Sequence, residues 1–508
     1  MFCSTQVAIA ATVVGVLLAV LGTLGVLLLP SFFYEQVQKK LPLLNGTEAF
    51  NIWEDIPFPI YQRIYFFNLT NPEEFYWNRS KPILKEVGPY SYRCTWVKNG
   101  LSWGANHTVT YKEIKTAFFD PDSSIGSEDD IITTLNMPLI AAGQMAKESG
   151  AVERHQIVLA VNVSHEGLII RKPVRQLLYE GYFDLLTMLA YIMNHTLPYS
   201  DGKFAWMYKK NATDDGKFTV FTGEGNLSEY NVIANWNGQK ELHWWKDECN
   251  MINGTNGEIT PPFLGDKKSL YLFNTAFCRS WTLVHNGTAP SHGLNLHRFI
   301  APASTFQNAS DYPPNGCFAT ARKLRSGAMD ISKCQHGAPI LLSFPHFYLG
   351  DPAYLEPIEG LQPDPFRHGF NLDVYPELGL GLRLNARLQV NAALEKMPLI
   401  KSLNNVTDMT YPIFWEEINI EPTDSFVNHL KSELQLPLFY MMMAAYLLLG
   451  IGTGMVLAVF ATILGRHLGW FDVKVRYFIC VARTQLSHAF AVCSSTYVNA
   501  LAVSCIKS

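Results

Sequence analysis

The chain lacks the local signatures on which a catalytic reading would stand. It holds no G-x-S-x-G, no H-E-x-x-H, no Walker A and no strand-linked dinucleotide fingerprint, so the usual carriers of nucleophile, zinc and phosphate chemistry are missing. There is no C-x-x-C and no histidine at zinc-finger distance, which argues against a metal site. The acidic run that opens at Asp120 fails as a calcium loop. Ile125 stands where a glycine must turn, and Ile131 where a bidentate acid is needed. His346 and His368 have no sequence-adjacent nucleophile and read as hydrogen-bonded structural histidines. The expectation is a protein that is not an enzyme, with no catalytic residues, no cofactor and no metal.

Charge is missing from two stretches, and these set the architecture. Leu436–Leu464 runs 29 residues without a charged side chain, more than the roughly 20 that cross a ~30 Å hydrocarbon core as a helix. Val7–Leu29 is a second apolar run of 23 residues. No basic residue precedes it and it ends in Leu28-Leu29-Pro30. A cleaved signal wants a basic start, a run of roughly 7–15 residues and a small-x-small end, so this segment reads as a retained anchor. Gly450, Gly454 and Ala458 in one span, and Ala11, Gly15 and Ala19 in the other, recur at helical spacing. Such faces let helices approach closely, within the chain or between copies.

Beyond Leu464 the tail carries Arg466, Lys474, Arg476, Arg483 and Lys507 against the single acid Asp472, which favours the cytoplasm. Twelve N-x-S/T sequons, at Asn45, Asn68, Asn78, Asn106, Asn162, Asn194, Asn211, Asn226, Asn253, Asn286, Asn308 and Asn405, all fall between the spans. That segregation fits a glycosylated outer domain. The organisation expected is a cytoplasmic N-terminus 1–6, transmembrane helices 7–29 and 436–464, an extracellular or lumenal domain 30–435, and a basic tail 465–508. The tail takes five of the 40 basic and one of the 44 acidic residues, leaving the outer domain at 35 against 43. An acidic surface argues against nucleic acid as a partner. Of nine cysteines, Cys94, Cys249, Cys278, Cys317 and Cys334 lie outside, where oxidation is expected; spacing leaves their connectivity open. Cys3 and Cys480 lie close enough to the bilayer for S-acylation.

Within the outer domain, Phe50–Tyr65 alternates aromatics with Pro57 and Pro59, which predicts an extended edge segment. Thr108–Phe119, Phe218–Thr222 and Ser269–Phe273 read as strands. Leu382–Ala392 is the cleanest: Leu382, Leu384, Ala386, Leu388 and Val390 alternate with Arg383, Asn385, Arg387, Gln389 and Asn391. Period two with one wet face predicts an antiparallel sheet or barrel wall. Helical periodicity concentrates in Ile131–Ala146 and in Pro173–Met193, a helical insertion at about 131–197.

Ordered blocks then carry a resemblance over roughly residues 7–464. They include Tyr65-Phe66-Phe67-Asn68, Glu86-Val87-Gly88-Pro89-Tyr90, Cys249-Asn250-Met251-Ile252-Asn253-Gly254-Thr255, Phe277-Cys278-Arg279-Ser280, Ser343-Phe344-Pro345-His346-Phe347 and Arg387-Leu388-Gln389-Val390-Asn391. In these the chain resembles the class B scavenger receptors, a family with cell-surface and lysosomal branches. The resemblance implies a membrane-anchored α+β protein: two transmembrane helices flanking a large antiparallel β-barrel-like ectodomain, with a helical cap and an apolar tunnel. It implies disulfides Cys278–Cys334 and Cys249–Cys317. It also implies a receptor for lipids and lipoprotein particles that moves fatty acid, cholesterol or cholesteryl ester to the plasma membrane. The alternative is a lysosomal membrane receptor carrying a lumenal hydrolase. Lys147, Arg154, Arg171, Lys172 and Arg175 form the basic set of the cap, where anionic ligands are expected to dock.

Overall fold

In a computed structural model, residues 2–192, 201–265 and 267–467 are described. The chain divides into two units, one of residues 1–40 with 424–508 and the other of Leu41–Thr423.

The first unit is a helix pair, α1 (Phe2–Lys40) and α8 (Asp424–His467). The stretches Thr5–Lys40 and Asp424–Gly465 are long and apolar enough to cross a membrane. The pair packs through small residues, although not those the sequence singled out on α8. A Cβ on Gly15 would lie 3.0 Å from the Gly452 carbonyl oxygen, and one on Gly22 would lie 2.7 Å from the Leu449 Cα. Ala445, Leu449 and Gly452 therefore form the contact face. Gly450 and Gly454 meet open space, because two residues along a helix is a turn of about 200° to its far side. A Cβ on Gly25 would stand 2.9 Å from that of Ala445, so a small outward shift brings two cysteines to the ~3.5–4.5 Å between Cβ atoms that a disulfide spans. Oxidation of a Gly25→Cys/Ala445→Cys chain should therefore bridge the helices in high yield. Adding Gly22→Leu should cut that yield several-fold, and adding Gly450→Leu should leave it unchanged; equal yields in the two would remove this packing face.

Among the described residues, the second unit carries seventeen strands. In chain order they are β1 (Ile60–Leu69), β2 (Leu84–Gly104), β3 (Thr108–Phe119), β4 (Ile131–Leu135), β5 (Ile169–Pro173), β6 (Tyr182–Phe183), β7 (Lys203–Phe204), β8 (Thr213–Phe221) and β9 (Ile233–Trp236). There follow β10 (Ser269–Asn274), β11 (Arg279–Ser291), β12 (Leu294–Ile300), β13 (Ala328–Asp330), β14 (Ile340–Ser343), β15 (Asn371–Tyr375), β16 (Leu380–Leu394) and β17 (Met409–Ile420). Thirteen form one sheet in the order β10-β11-β12-β15-β16-β17-β1-β2-β3-β8-β9, with β14 on β16 and β13 on β14. All its strand pairs are antiparallel. Among the described residues, strand pairing does not close the path into a barrel. Between its ends, the Gly254 carbonyl accepts from the Ile233 N–H of β9, and Thr255 exchanges hydrogen bonds with Tyr271 and Phe273 of β10.

β16 shows how the two-residue period is used. Its outward arginines enter cross-strand ion triads: Arg383 and Arg298 both bind Asp373 at 2.7 Å, and Arg387 and Arg63 bind Glu417 at 2.7 and 3.0 Å. That face is not wet throughout, since Gln389 and Asn391 are buried where β14 covers them. A bulge between Ile64 and Phe66 bends β1 against β2. It needs Gly88, whose φ is +120° and whose Cβ would lie 2.6 Å from the Ile64 carbonyl oxygen.

Three sequence expectations fail here, the first because Ile131–Leu135, read as the start of a helix, is strand β4 paired with β5, and the helix begins at Met137. Phe50–Tyr65 is not an edge: a short helix, Glu48–Glu54, capped by Thr47, precedes the prolines, and β1 beyond them pairs on both sides. The prolines sit in the connection and remove no ladder bond. Pro173–Met193 is not one helix either. Pro173 ends β5, a π-helical turn spans Gln176–Glu180, and Gly181 at φ +75° leads into β6 before a helix at Leu185–Ile192. The apolar period persists because the segment is buried on one side throughout. Helices Met137–Glu148 and Ala151–Ser164 complete the cap, the first opened by Asn136, whose side chain accepts the Leu139 N–H.

Cys249 is bonded to Cys317 and Cys278 to Cys334. Cys94 is a buried free thiol. Beside it in the sheet lies a charged core: Lys98, fully buried, holds Glu258 at 2.7 Å and Glu113 at 3.0 Å and sits over the rings of Trp53 and Tyr111.

Candidate functional site

The apolar face of β16 does not meet a packed interior. Leu384, Ala386, Leu388 and Val390 line a cavity of about 740 Å³, together with Phe414, Glu416, Ile418 and Ile420 of β17. Both rows have the period of two that places alternate side chains on one face. The cavity wall continues through Gln62 of β1, Cys94 and Trp96 of β2, Lys115 and Ala117 of β3, and Leu272 and Phe273 of β10. A second cavity of about 200 Å³ lies in the cap between Met137, Ala141, Ile157, Val161, Leu186 and Phe204. Trp206 and Ile340 belong to the walls of both.

The wall is mostly apolar but also carries charged groups, among them Lys115, Lys210, Asp214, Asp215, Glu258 and Glu416. Lys115 binds Asp215 at 2.8 Å, approaches Glu113 at 3.6 Å and lies over the Trp96 ring. Burial, and then the charge of Glu113, raise the Glu258 carboxyl, while the Cys94 thiol is pushed up to about 12 chiefly by burial. A thiol so raised is a weak nucleophile at neutral pH.

His346 and His368 are both buried, stacked with ring centroids 4.4 Å apart beside Glu86. The ligand atoms of these three residues lie within 4.8 Å of one another, near enough to hold a cation. The hydrogen bonds oppose that use. The Gln362 N–H donates to His346 Nδ1 and the Asp364 N–H to His368 Nδ1, each at 2.9 Å. The Nε2 atoms therefore carry the protons, and His346 donates its own to Glu86 at 2.6 Å. Protons rather than lone pairs face the carboxylate. Burial alone would raise Glu86, but hydrogen bonds from His346, Arg367 and Trp415 outweigh it and hold the group at about 2. Burial first, and then the neighbouring His346, push His368 down to about 3. The cluster ties β2 to the loops at 346 and 368, and its geometry is that of a structural fastening.

Four of the five cap cations have local partners. Lys147 pairs with Glu395, Arg175 binds Asp129 and Glu180 at 2.7 and 2.6 Å, and Lys172 lies over the Tyr182 ring. Arg154 donates to the carbonyls of Ala146 and Ser149, while Arg171 projects outward from β5. Among the sequons, Asn45, Asn78, Asn106, Asn211, Asn226 and Asn286 are exposed, and Asn68 and Asn253 are half-buried. The half-buried Asn162, Asn308 and Asn405 spend their amide N–H groups on the carbonyls of Leu399, Leu324 and Tyr76. Asn194 and Cys480 lie outside the described residues, as does the tail beyond His467; Cys3 is in the first turn of α1.

The pattern of the CD36 family matches residues 13–463. The chain belongs to the CD36 family. This member is 34% identical over 406 residues to scavenger receptor class B member 1 of Bos taurus, covering 80% of this chain and 79% of that protein. It is 34% identical over 452 residues to the Cricetulus griseus protein of the same name, covering 88% and 87%. Against lysosome membrane protein 2 of Homo sapiens the identity is 34% over 402 residues, covering 78% and 82%. These CD36 relatives bear the names of receptors and membrane proteins, which supports a receptor role for this member. Its two terminal apolar helices fit a membrane protein with both termini cytoplasmic.

Neither Gln62, Glu416, Lys98 nor Glu258 had been singled out in the sequence. Their flanks carry no motif, and the contacts Gln62–Glu416 and Lys98–Glu258 join residues 354 and 160 positions apart.

Proposed function

We propose that this chain is a cell-surface scavenger receptor that holds a lipid in the cavity beneath β16 and β17 and passes it to its own membrane. The observation that carries this reading is the 740 Å³ space lined by alternate apolar residues of adjacent strands. Water in such a space forfeits hydrogen bonds, and a lipid leaving its carrier for bulk water loses ~0.8 kcal/mol per exposed CH₂. Lipids and lipoprotein particles are the partners. Glycans sit on the exposed sequons, S-acyl groups on Cys3 and Cys480, and the α8 face at Gly450 and Gly454 is free for a second copy. Similarity to lysosome membrane protein 2 favours one alternative, residence in the lysosomal membrane with a lumenal hydrolase as partner.

The test is extraction of the purified, glycosylated full chain followed by lipid mass spectrometry, with uptake of labelled cholesterol by cells that display it. Near-stoichiometric lipid and saturable uptake are expected. A folded chain that holds none would turn the assignment to protein recognition.

A further inference from the structure

Glu416 is out of place on the wall it occupies. Its row on β17 reads Phe414, Glu416, Ile418, Ile420, and the facing row on β16 is apolar throughout. A carboxyl in such surroundings carries a desolvation cost unless its oxygens are satisfied. One of them is. Gln62 Nε2 donates to Glu416 Oε1 at 2.6 Å, and the Tyr179 hydroxyl donates to Gln62 Oε1 at 2.6 Å, which fixes the amide with its N–H group towards the acid. The other, Oε2, receives no hydrogen bond from the described residues. No cation among them pairs with Glu416, because Lys115, whose charge reaches it, is taken by Asp215 and Glu113. Burial raises the Glu416 pKa, against the opposing pull of Gln62 and Lys115. The free oxygen thus faces the cavity as an acceptor with no partner, a position that suits a donor on the ligand.

We propose that Glu416, positioned by Gln62 and Tyr179, is the headgroup anchor of this cavity and selects lipids that end in a hydroxyl over lipids that end in a carboxylate. The inference rests on the lipid reading above and adds to it the chemistry of the ligand. A hydroxyl can donate to the free carboxyl oxygen. An ionised fatty acid offers acceptors alone and brings a second negative charge into a space of low dielectric. A ligand whose hydroxyl is blocked leaves the buried acid unpaired, and that penalty produces the discrimination.

The experiment measures binding of cholesterol, its 3-methyl ether and oleate to the full chain in nanodiscs, for wild type, Glu416→Gln and Glu416→Leu. Wild type should prefer cholesterol to the ether by about tenfold or more. Glu416→Gln, which keeps a donor and an acceptor, should retain most of that preference. Glu416→Leu should reduce it to less than about twofold while leaving oleate binding unchanged or stronger, which a general loss of folding would not do. Equal wild-type affinity for the sterol and its ether, or a preference that survives in Glu416→Leu, overturns the anchor and leaves the lipid reading standing. A wild-type chain that binds none of the three overturns both.

Discussion

Replacing Lys98 by methionine should cost about 3–5 kcal/mol of folding stability, the typical penalty for leaving a buried charge without its partner. Lys98 is the cation between two buried acids, Glu258 at 2.7 Å and Glu113 at 3.0 Å. Methionine matches its shape against Trp53 and Tyr111, so the loss is mostly electrostatic. The effect has a pH signature. In the native chain burial would raise Glu113, but Lys98 and then Lys115 outweigh it and hold the group well below its ordinary value. Its contribution is therefore present above the unfolded pKa of about 4.3 and fades as pH falls below that. Once Lys98 is gone, burial raises the folded pKa, and the sign inverts: the contribution is then present in acid and lost as pH rises. The deficit should be small near pH 4–5 and grow towards pH 8, with Glu113→Gln restoring part of it. Thermal melts of the full chain across this range are the check. A deficit that does not vary with pH would count against an electrostatic cause.

The second large effect is on ligand. Ala386 and Ile418 are cross-strand partners on the cavity wall. Tryptophan at both should fill the space between β16 and β17 and lower the lipid recovered per chain by tenfold or more. The side chains enter an existing void, so the overpacking cost of about 1–3 kcal/mol seen in filled cores should be largely avoided and the melting temperature kept within a few degrees. Lipid recovered at the wild-type level from a folded double variant would exclude this cavity as the site. Lipoprotein binding that persists while lipid uptake is lost would separate docking from transfer.

Local sequence carried part of this. Alternation over Leu382–Ala392 was enough to place β16, and its apolar half proved to be the cavity wall. It could not say whether that face meets other side chains or empty space, because both demand the same residues. The block Glu86-Val87-Gly88-Pro89-Tyr90 was recognisable as a unit, but its reasons lie elsewhere: Glu86 serves His346 and Arg367, and Gly88 serves the bulge at Ile64. The helix expected over Pro173–Met193 failed because one-sided burial produces the same period in a strand, a π-turn and a short helix joined together. The pair Gln62 and Glu416 is 354 residues apart in the chain, and no local pattern reports a contact at that range.

The position of β17 beside β1 bears on how the molecule is made. Ile60 opposes Ile420 and Phe66 opposes Phe414, so the first strand of the sheet finds one neighbour only when the last has been synthesised. At roughly 5–20 residues per second the ribosome needs about 20–70 s to cover that interval. Throughout it, one edge of β1 stands open, with Arg63 waiting for Glu417 and Gln62 for Glu416. The nascent domain therefore cannot mature from its N-terminus strand by strand; its central seam is the last to close.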